Sequence, residues 1–274
     1  MPGVEEFFRM LGSTLGFIAL VYAVAMVFER LAPAERGQPW ARIRFNLVLG
    51  VVLFTISSAL VAVLTPLIAP LVTSPIGQRI RLEFPDGAWG SLGQVLAFFL
   101  IYDFFYYWWH RAQHELPWLW PQHELHHSDT ALNITTSLRH HWLEDPLRVF
   151  AMAAPLGFAF YFKPASIPWI ATVVGLWPFF IHANVRLHLG WLAPVVAGPQ
   201  YHRIHHSIEP AHWNRNYAAF FPVWDVVFGT AYFPKRGEFP RTGVARGEPR
   251  SMADALVAPF RDWREQLRGR RASA

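Results

Sequence analysis

Residues 91–114 read SLGQVLAFFLIYDFFYYWWHRAQH. From Ser91 to Trp109 the only charge is Asp103, and the run is long enough for a membrane helix, which takes about 17–25 mostly apolar residues. It passes directly into His110-Arg-Ala-Gln-His114, two imidazoles four residues apart and so on one helical face. A span that ends in paired imidazoles raises two questions. What else crosses the membrane, and what do the histidines meet?

Three more stretches answer the first. Gly12–Leu31 is charged only at Glu29 and Arg30, and Phe45–Val72 carries no charge, with Pro66 and Pro70 predicting a kink or early exit. Val149–Ile181 is 33 residues with Lys163 as its one charge, too long for a single span. Lys163-Pro164 near its middle predicts a hairpin of two short or tilted helices. The expected architecture is all-α and polytopic, with about four to five membrane helices and a cytosolic-face helical cap carrying the histidines. Three regions follow: membrane helices and loop over 1–90, a catalytic region over 91–235, and a basic tail over 236–274.

Composition agrees. Charged residues are 16% of the 274 and hydrophobic ones 53%; average soluble domains carry about 25% charged residues. An ordinary soluble enzyme and a disordered chain are both excluded. The absence of cysteine removes thiolate zinc sites, cysteine nucleophiles and Cys-ligated iron–sulfur clusters. The net charge is +5, and the segment from Arg241 onward supplies +4 of it, with eight Arg against four acids. Basic segments stay cytoplasmic and lie against anionic lipid, which accounts for the tail without a nucleic-acid partner. The loop between the first two spans holds Arg30, Arg36, Arg42 and Arg44, while the loop before Ser91 holds Arg79 and Arg81 offset by Glu83 and Asp86. The first loop, the histidines and the C-terminus are therefore expected in the cytoplasm, as in a bacterial inner-membrane protein. Two Glu and one Arg within Met1–Met10 argue against a cleavable signal peptide.

All 13 histidines fall between His110 and His212. Besides His110 and His114 there are two H-x2-HH triads, His123/His126/His127 and His202/His205/His206. Spacings of three and four put each triad on one face, and Pro121 and Pro199 suit the first turn of a helix. Eight buried imidazoles without partners would be costly, so metal binding is expected for all eight. One octahedral ion takes six ligands and a tetrahedral ion four, so eight or nine imidazoles suit two ions with positions left for water or oxygen. Imidazole accepts iron, zinc and copper alike, so the metal is not named by the residues, and purified protein can carry zinc. Asp103, seven residues before His110, lies on nearly the same face. It is a candidate to accept a proton from a ligand imidazole and fix its tautomer. Asp225 is a further candidate, with capping or bracing as its alternative role.

Two rival classes arise. His123-Glu124-Leu125-His126-His127 contains H-E-x-x-H, the zinc hydrolase pattern in which Glu is the general base. That reading leaves the other boxed histidines without a role. A non-catalytic metal-binding or transport protein would put more polar groups along the spans.

The boxes H-x3-H, H-x2-HH and H-x2-HH on a membrane chain resemble the fatty acid hydroxylase/sterol desaturase superfamily. So does their context: Asp103-Phe-Phe-Tyr-Tyr-Trp-Trp-His110, Leu138-Arg139 with Glu144, His182-Ala-Asn184, Arg215-Asn216-Tyr217 and Trp224-Asp225. The resemblance covers about Leu92 to Phe233. It implies two irons, O2 as co-substrate and an external electron donor, such as a cytochrome b5-like protein or ferredoxin. The reaction would be hydroxylation or desaturation at a lipid C–H bond. The lipid could be sterol-like, fatty acyl, ether lipid or carotenoid. Carried over, the ligands are His110, His114, His123, His126, His127, His202, His205 and His206, with His182 as a ninth. Where some members have a tenth, this chain has Arg186. His141 matches a recurrent histidine that would lie just outside the ligands. His188 is expected to be structural, and His140 and His212 to lie at the surface.

Overall fold

The computed structural model describes residues 3–72, 80–161 and 167–272. Among the described residues three helices are long and apolar enough to cross a membrane: α1 (Val4–Leu31), α2 (Trp40–Val72, apolar through Pro70) and α3 (Ala88–Glu115). Their outer faces are bare hydrocarbon, with Leu20 62% and Val27 57% exposed. Contiguous apolar surface of this kind marks a membrane contact, and the chain is an integral membrane protein. The α2 helix continues through Pro66 and Pro70 rather than ending there. Each proline removes one backbone hydrogen bond to the carbonyl four residues back, and the helix runs past both.

The Val149–Ile181 stretch is less regular than a pair of matched helices. Helix α5 (Glu144–Arg148) continues through a π-helical turn, Val149–Ala153, into α6 (Ala154–Ala159). The chain then becomes extended at Phe160–Tyr161 (β2), which pairs in parallel with Ile80–Arg81 (β1). Helix α7 (Ile167–His182) returns. The expected turn at Lys163-Pro164 lies outside the described residues.

The cap holds α4 (Trp120–His127), a 3-10 turn at Ile134–Leu138, α8 (Pro199–His205), α9 (Val223–Val227) and α10 (Met252–Ala272). Both α4 and α8 have proline in the first turn, as the spacing predicts. They are only about two turns long, so the histidine triads run to their C-terminal ends instead of sitting near their starts. The basic tail is docked: α10 packs on α4, and Trp263 Nε1 and Gln266 Nε2 donate to the carbonyls of Trp118 and Pro117.

Three apolar clusters tie spans to cap. Phe98, Phe99, Ile170 and Phe220 join α3, α7 and the segment before α9. Ile18, Tyr22, Ile134 and Phe179 join α1, the 3-10 turn and α7. Leu49, Leu53, Leu125 and Ala255 join α2, α4 and α10. Gly50 permits the close approach of α2 to the 3-10 turn, because a Cβ there would lie 3.0 Å from the Leu138 Cβ.

A buried polar knot reinforces the α2–α4 contact. Arg139, fully buried, donates to the Leu125 carbonyl (3.0 Å), Asn46 Oδ1 (2.8 Å) and Ser128 Oγ (2.8 Å). Asn46 in turn donates to Asp129 Oδ2 at 2.6 Å. This knot fixes the end of α4, where His126 and His127 sit.

Candidate metal centre

Nine imidazoles converge where α3, α4, α7 and α8 meet, and they sort into two groups. His110, His114, His123, His127 and His205 each bring one ring nitrogen within 4.8 Å of all the others; so do His126, His182, His202 and His206. The two short helices are shared. Each triad sends members into both groups, so α4 and α8 lie side by side with their histidine faces turned to α3 on one side and α7 on the other. An ion with imidazole nitrogens at about 2.0–2.1 Å has its most distant pair about 4.2 Å apart, so the rings need to close by only a few tenths of an ångström.

The donor chemistry fits a cation. A carbonyl can only accept, so each imidazole nitrogen facing one carries the proton. His110 Nδ1 donates to the Tyr217 carbonyl (2.7 Å), His205 Nδ1 to that of Arg215 (2.8 Å) and His182 Nδ1 to that of Pro178 (2.6 Å). In the neutral ring this leaves Nε2 of all three as a bare lone pair. These lone pairs face other nitrogens. His110 Nε2 is 3.1 Å from His123 Nε2, and His182 Nε2 is 3.0 Å from both His126 Nε2 and His202 Nε2. Buried Nε2 atoms of His114 and His205 have no hydrogen-bond partner among the described residues. A buried acceptor without a donor is costly, and a metal ion satisfies all of them together. Burial, then the neighbouring imidazoles, hold His126, His127, His202 and His206 well below the usual histidine range. His205 is lowered to about 3 by burial. The rings are neutral at pH 7, the form that binds metal.

A loop on the far side of the first group supplies two of the three orienting carbonyls. Asn214 (φ 58°) and Asn216 (φ 60°) take left-handed conformations that asparagine tolerates. They turn the Arg215 and Tyr217 carbonyls toward His205 and His110. Asp225 holds this loop, accepting from the N–H groups of Tyr217 (2.8 Å) and Ala218 (2.9 Å), from Thr230 Oγ1 (2.7 Å) and from the Tyr201 hydroxyl (2.9 Å). Asp103 accepts from the N–H groups of Ala219, Phe220 and Phe221 at 2.7–3.1 Å. Neither carboxylate touches an imidazole. The expectation for Asp103 therefore needs correction: three backbone N–H groups in series outcompete a ring already served by a carbonyl. It acts on His110 through the loop.

Other expectations shift similarly. His141 turns away from the centre: its Nε2 faces the Leu256 carbonyl at 3.1 Å and its ring lies against Trp142 and Phe260. His140 is half-buried rather than at the surface. Its ring stacks on His126 at 4.2 Å, and its Nδ1 lies 2.9 Å from Glu144 Oε1. His212 is buried, with its Nδ1 2.9 Å from Ser207 Oγ. His188 is exposed and sits 2.7 Å from Gln200 Oε1. Two residues gain importance. Glu144 lies 3.3 Å from His123 Nδ1 through the same oxygen that meets His140, so it bridges the two rings. Burial opposes its charge, yet His140 and His123 outweigh burial and hold the carboxyl well below its usual range. Tyr217 places its ring 5.3 Å from His114, and its buried hydroxyl has no hydrogen-bond partner among the described residues. The sequence carried a signal for both, since Glu144 and Tyr217 sit in the motif context, but nothing in spacing reveals that they approach imidazoles.

A cavity of about 330 Å³ opens beside the first group, lined by His114, His127 and His205 with Trp120, Trp213 and Glu124. Glu124 pairs with Arg246 at 3.3 Å.

The fatty acid hydroxylase family model matches residues 95–230, the stretch that contains all nine imidazoles. The chain belongs to the fatty acid hydroxylase superfamily. That family places it among oxidoreductases of the hydroxylase and monooxygenase kind. It is 28% identical to ornithine lipid hydroxylase OlsE of Rhizobium tropici, over 91% of this chain and 76% of that protein. It is 35% identical to alkylglycerol monooxygenase of Xenopus tropicalis, over 54% of this chain and 32% of the relative. With methylsterol monooxygenase 2-2 of Arabidopsis thaliana the identity is 29%, over 55% and 57% of the two chains. The superfamily member described here thus spans about a third of the alkylglycerol monooxygenases it matches and three quarters of the ornithine lipid hydroxylase. No solved structure matches it.

Proposed function

We propose that this chain is an O2-dependent di-iron hydroxylase that oxidises a C–H bond of a membrane lipid. The observation that carries this reading is the sorting of nine imidazoles into a set of five and a set of four, with the Nε2 lone pairs of His110, His182 and His205 turned inward. His110, His114, His123, His127 and His205 would hold one ion, and His126, His182, His202 and His206 the other. Iron bound there supplies activation of O2, with electrons from an external donor of the cytochrome b5 or ferredoxin type. The chain's own residues do the rest. The carbonyls of Tyr217, Arg215 and Pro178 hold protons on Nδ1 so that Nε2 stays free. Asp103 and Asp225 keep two of those carbonyls in place, and Glu144 holds the back of His123. Trp120, with its ring 5.1 Å from His114 and 5.6 Å from His127, keeps bulk water from the first group, which protects a reactive centre from side reactions.

The relatives are named for hydroxylation or monooxygenation of ornithine lipid, alkylglycerol and methylsterol, so insertion of oxygen is favoured over desaturation. The Arg-rich first loop and basic tail support a bacterial inner-membrane location with the centre on the cytoplasmic side. The test is a reconstituted reaction with a chemical reductant under ¹⁸O₂ and extracted membrane lipid. A lipid product that gains one labelled oxygen, formed by protein with about two metal equivalents, is the expected result. A product formed without O2 would sink the reading and favour a hydrolase.

A further inference from the structure

Loop 32–39, where α1 and α2 emerge on one side of the membrane, is stitched to the segment after His182. Ala34 N–H donates to the Asn184 carbonyl (3.2 Å) and Arg186 N–H to that of Ala32 (2.8 Å). Glu35 N–H donates to Asn184 Oδ1, and Asn184 Nδ2 returns a bond to the Glu35 carbonyl, both at 2.9 Å. Under this rigid strap lies a cavity of about 490 Å³, lined by Glu29, Arg30, Arg36, Gln38, Trp40 and Asn184 among others.

Its charges are unevenly committed. Glu35 is engaged by Arg203 at 2.8 Å. Glu29 is only 8% exposed, and its Oε1 alone receives both of its hydrogen bonds, from the N–H groups of Ile134 (2.8 Å) and Asn184 (2.7 Å). Oε2 has no donor among the described residues. A buried carboxylate with one oxygen unserved favours a cation beside it. At the rim, Arg30 lies over the Trp40 ring at 5.8 Å, and neither Arg30 nor Arg36 has an acidic partner among the described residues. The cavity therefore offers a buried anion at its floor and two unpaired cations at its mouth, at the level where arginine and tryptophan meet lipid headgroups.

We propose that this cavity binds the headgroup of a zwitterionic lipid. A free ammonium sits on Glu29, and an adjoining phosphate or carboxylate sits between Arg30 and Arg36. The proposal rests on the lipid-oxygenase reading in one respect only. On that reading the acyl chain of a headgroup held here would run toward the second imidazole group, since Asn184 is two residues past His182. Position along that chain is then counted from the headgroup.

The test is equilibrium lipid binding to the purified full-length protein in detergent. Phosphatidylethanolamine, phosphatidylcholine and phosphatidylglycerol with identical acyl chains are the probes, and binding is read with and without metal. Phosphatidylethanolamine should bind about tenfold tighter than phosphatidylglycerol, about 1.4 kcal/mol. Phosphatidylcholine, whose quaternary amine cannot donate to Glu29, should fall below phosphatidylethanolamine. Glu29→Gln keeps an oxygen for Ile134 and Asn184 and should erase the preference for the free amine. Arg36→Ala, at an exposed position that the fold does not need, should weaken phosphatidylethanolamine and phosphatidylglycerol alike. Equal binding of the three lipids by wild-type protein, or unchanged binding in both Arg30→Ala and Arg36→Ala, would overturn the site. Selective binding that survives metal removal, in a protein that oxidises no lipid, would uphold the site and count against the oxygenase reading.

Discussion

The two imidazole groups share α4 and α8 but are held by different means. In the group of four, the orienting carbonyl for His182 belongs to Pro178, four residues back in the same helix, so folding α7 is enough to set that ring. In the group of five, His110 and His205 are oriented by Tyr217 and Arg215, on an irregular loop that two buried carboxylates must hold. One group is anchored locally and the other through tertiary structure. The second arrangement is the more fragile.

The sharpest way to separate them is to remove one ligand from each. His205→Ala and His182→Ala should each bring metal content from about two equivalents to about one, measured by elemental analysis. Loss of both metals in either variant would show that the groups fill as one unit. Next in size is Asp225→Ala. It leaves four buried donors unserved, each costing about 1–3 kcal/mol, so a loss of about 4 kcal/mol or more is expected, with metal lost first from the group of five. Denaturation in detergent together with metal analysis checks both. Should the variant keep both metals at wild-type stability, the loop is not the anchor.

Glu144→Gln probes the other flank of the group of five. Partners one step behind metal ligands typically contribute about 10–100-fold in metal affinity. That loss should appear in a chelator competition for one ion and not for the other. The pH response of metal-stripped protein is a smaller effect with a definite sign. His126, His127, His202, His205 and His206 are held below their ordinary 6.5 in the folded state. Below pH 6.5 the unfolded chain takes up protons that the folded chain refuses, so stability falls as pH drops through that value. Melting temperature should therefore be lower at about pH 5.5 than at about pH 7.5; a flat profile would mean that the rings are already exposed. The smallest effect belongs to Glu124→Gln. A general base contributes about 10²–10⁴-fold, but Glu124 is paired with Arg246 and O2-dependent turnover should survive its loss. Abolished activity with intact metal would revive the hydrolase.

Much of this was legible in the chain itself. Contiguous apolar runs are a one-dimensional signal, so α1, α2 and α3 could be read directly. The boxed histidines were readable because their spacing matches a helical face. What sequence could not supply was which element meets which. Asp103 shares a face with His110, yet the backbone of 219–221 reaches it first. His140 and His212 looked like surface residues because burial of a loop side chain is decided by what packs over it, here His126 in one case and Tyr232 in the other. The irregular limb of α5 and α6 was hidden because a π-helical turn leaves no periodicity of its own.

The knot at Arg139 bears on how the protein could be dissected. The stretch that matches the family, 95–230, contains Arg139, Asp129 and Ser128, but the acceptor at the centre of the knot is Asn46 on α2. Cut free of the first two helices, the histidine-bearing portion would keep a guanidinium in its interior with one contact missing and an aspartate one donor short, keeping its bonds from Ala131 and Thr136. It would be a fragment rather than a module. Swapping N-terminal helices between relatives would succeed only where an amide side chain arrives at the same place. The same dependence ties the end of α4 to α2, so the rings of His126 and His127 take their places only with α2 beside them.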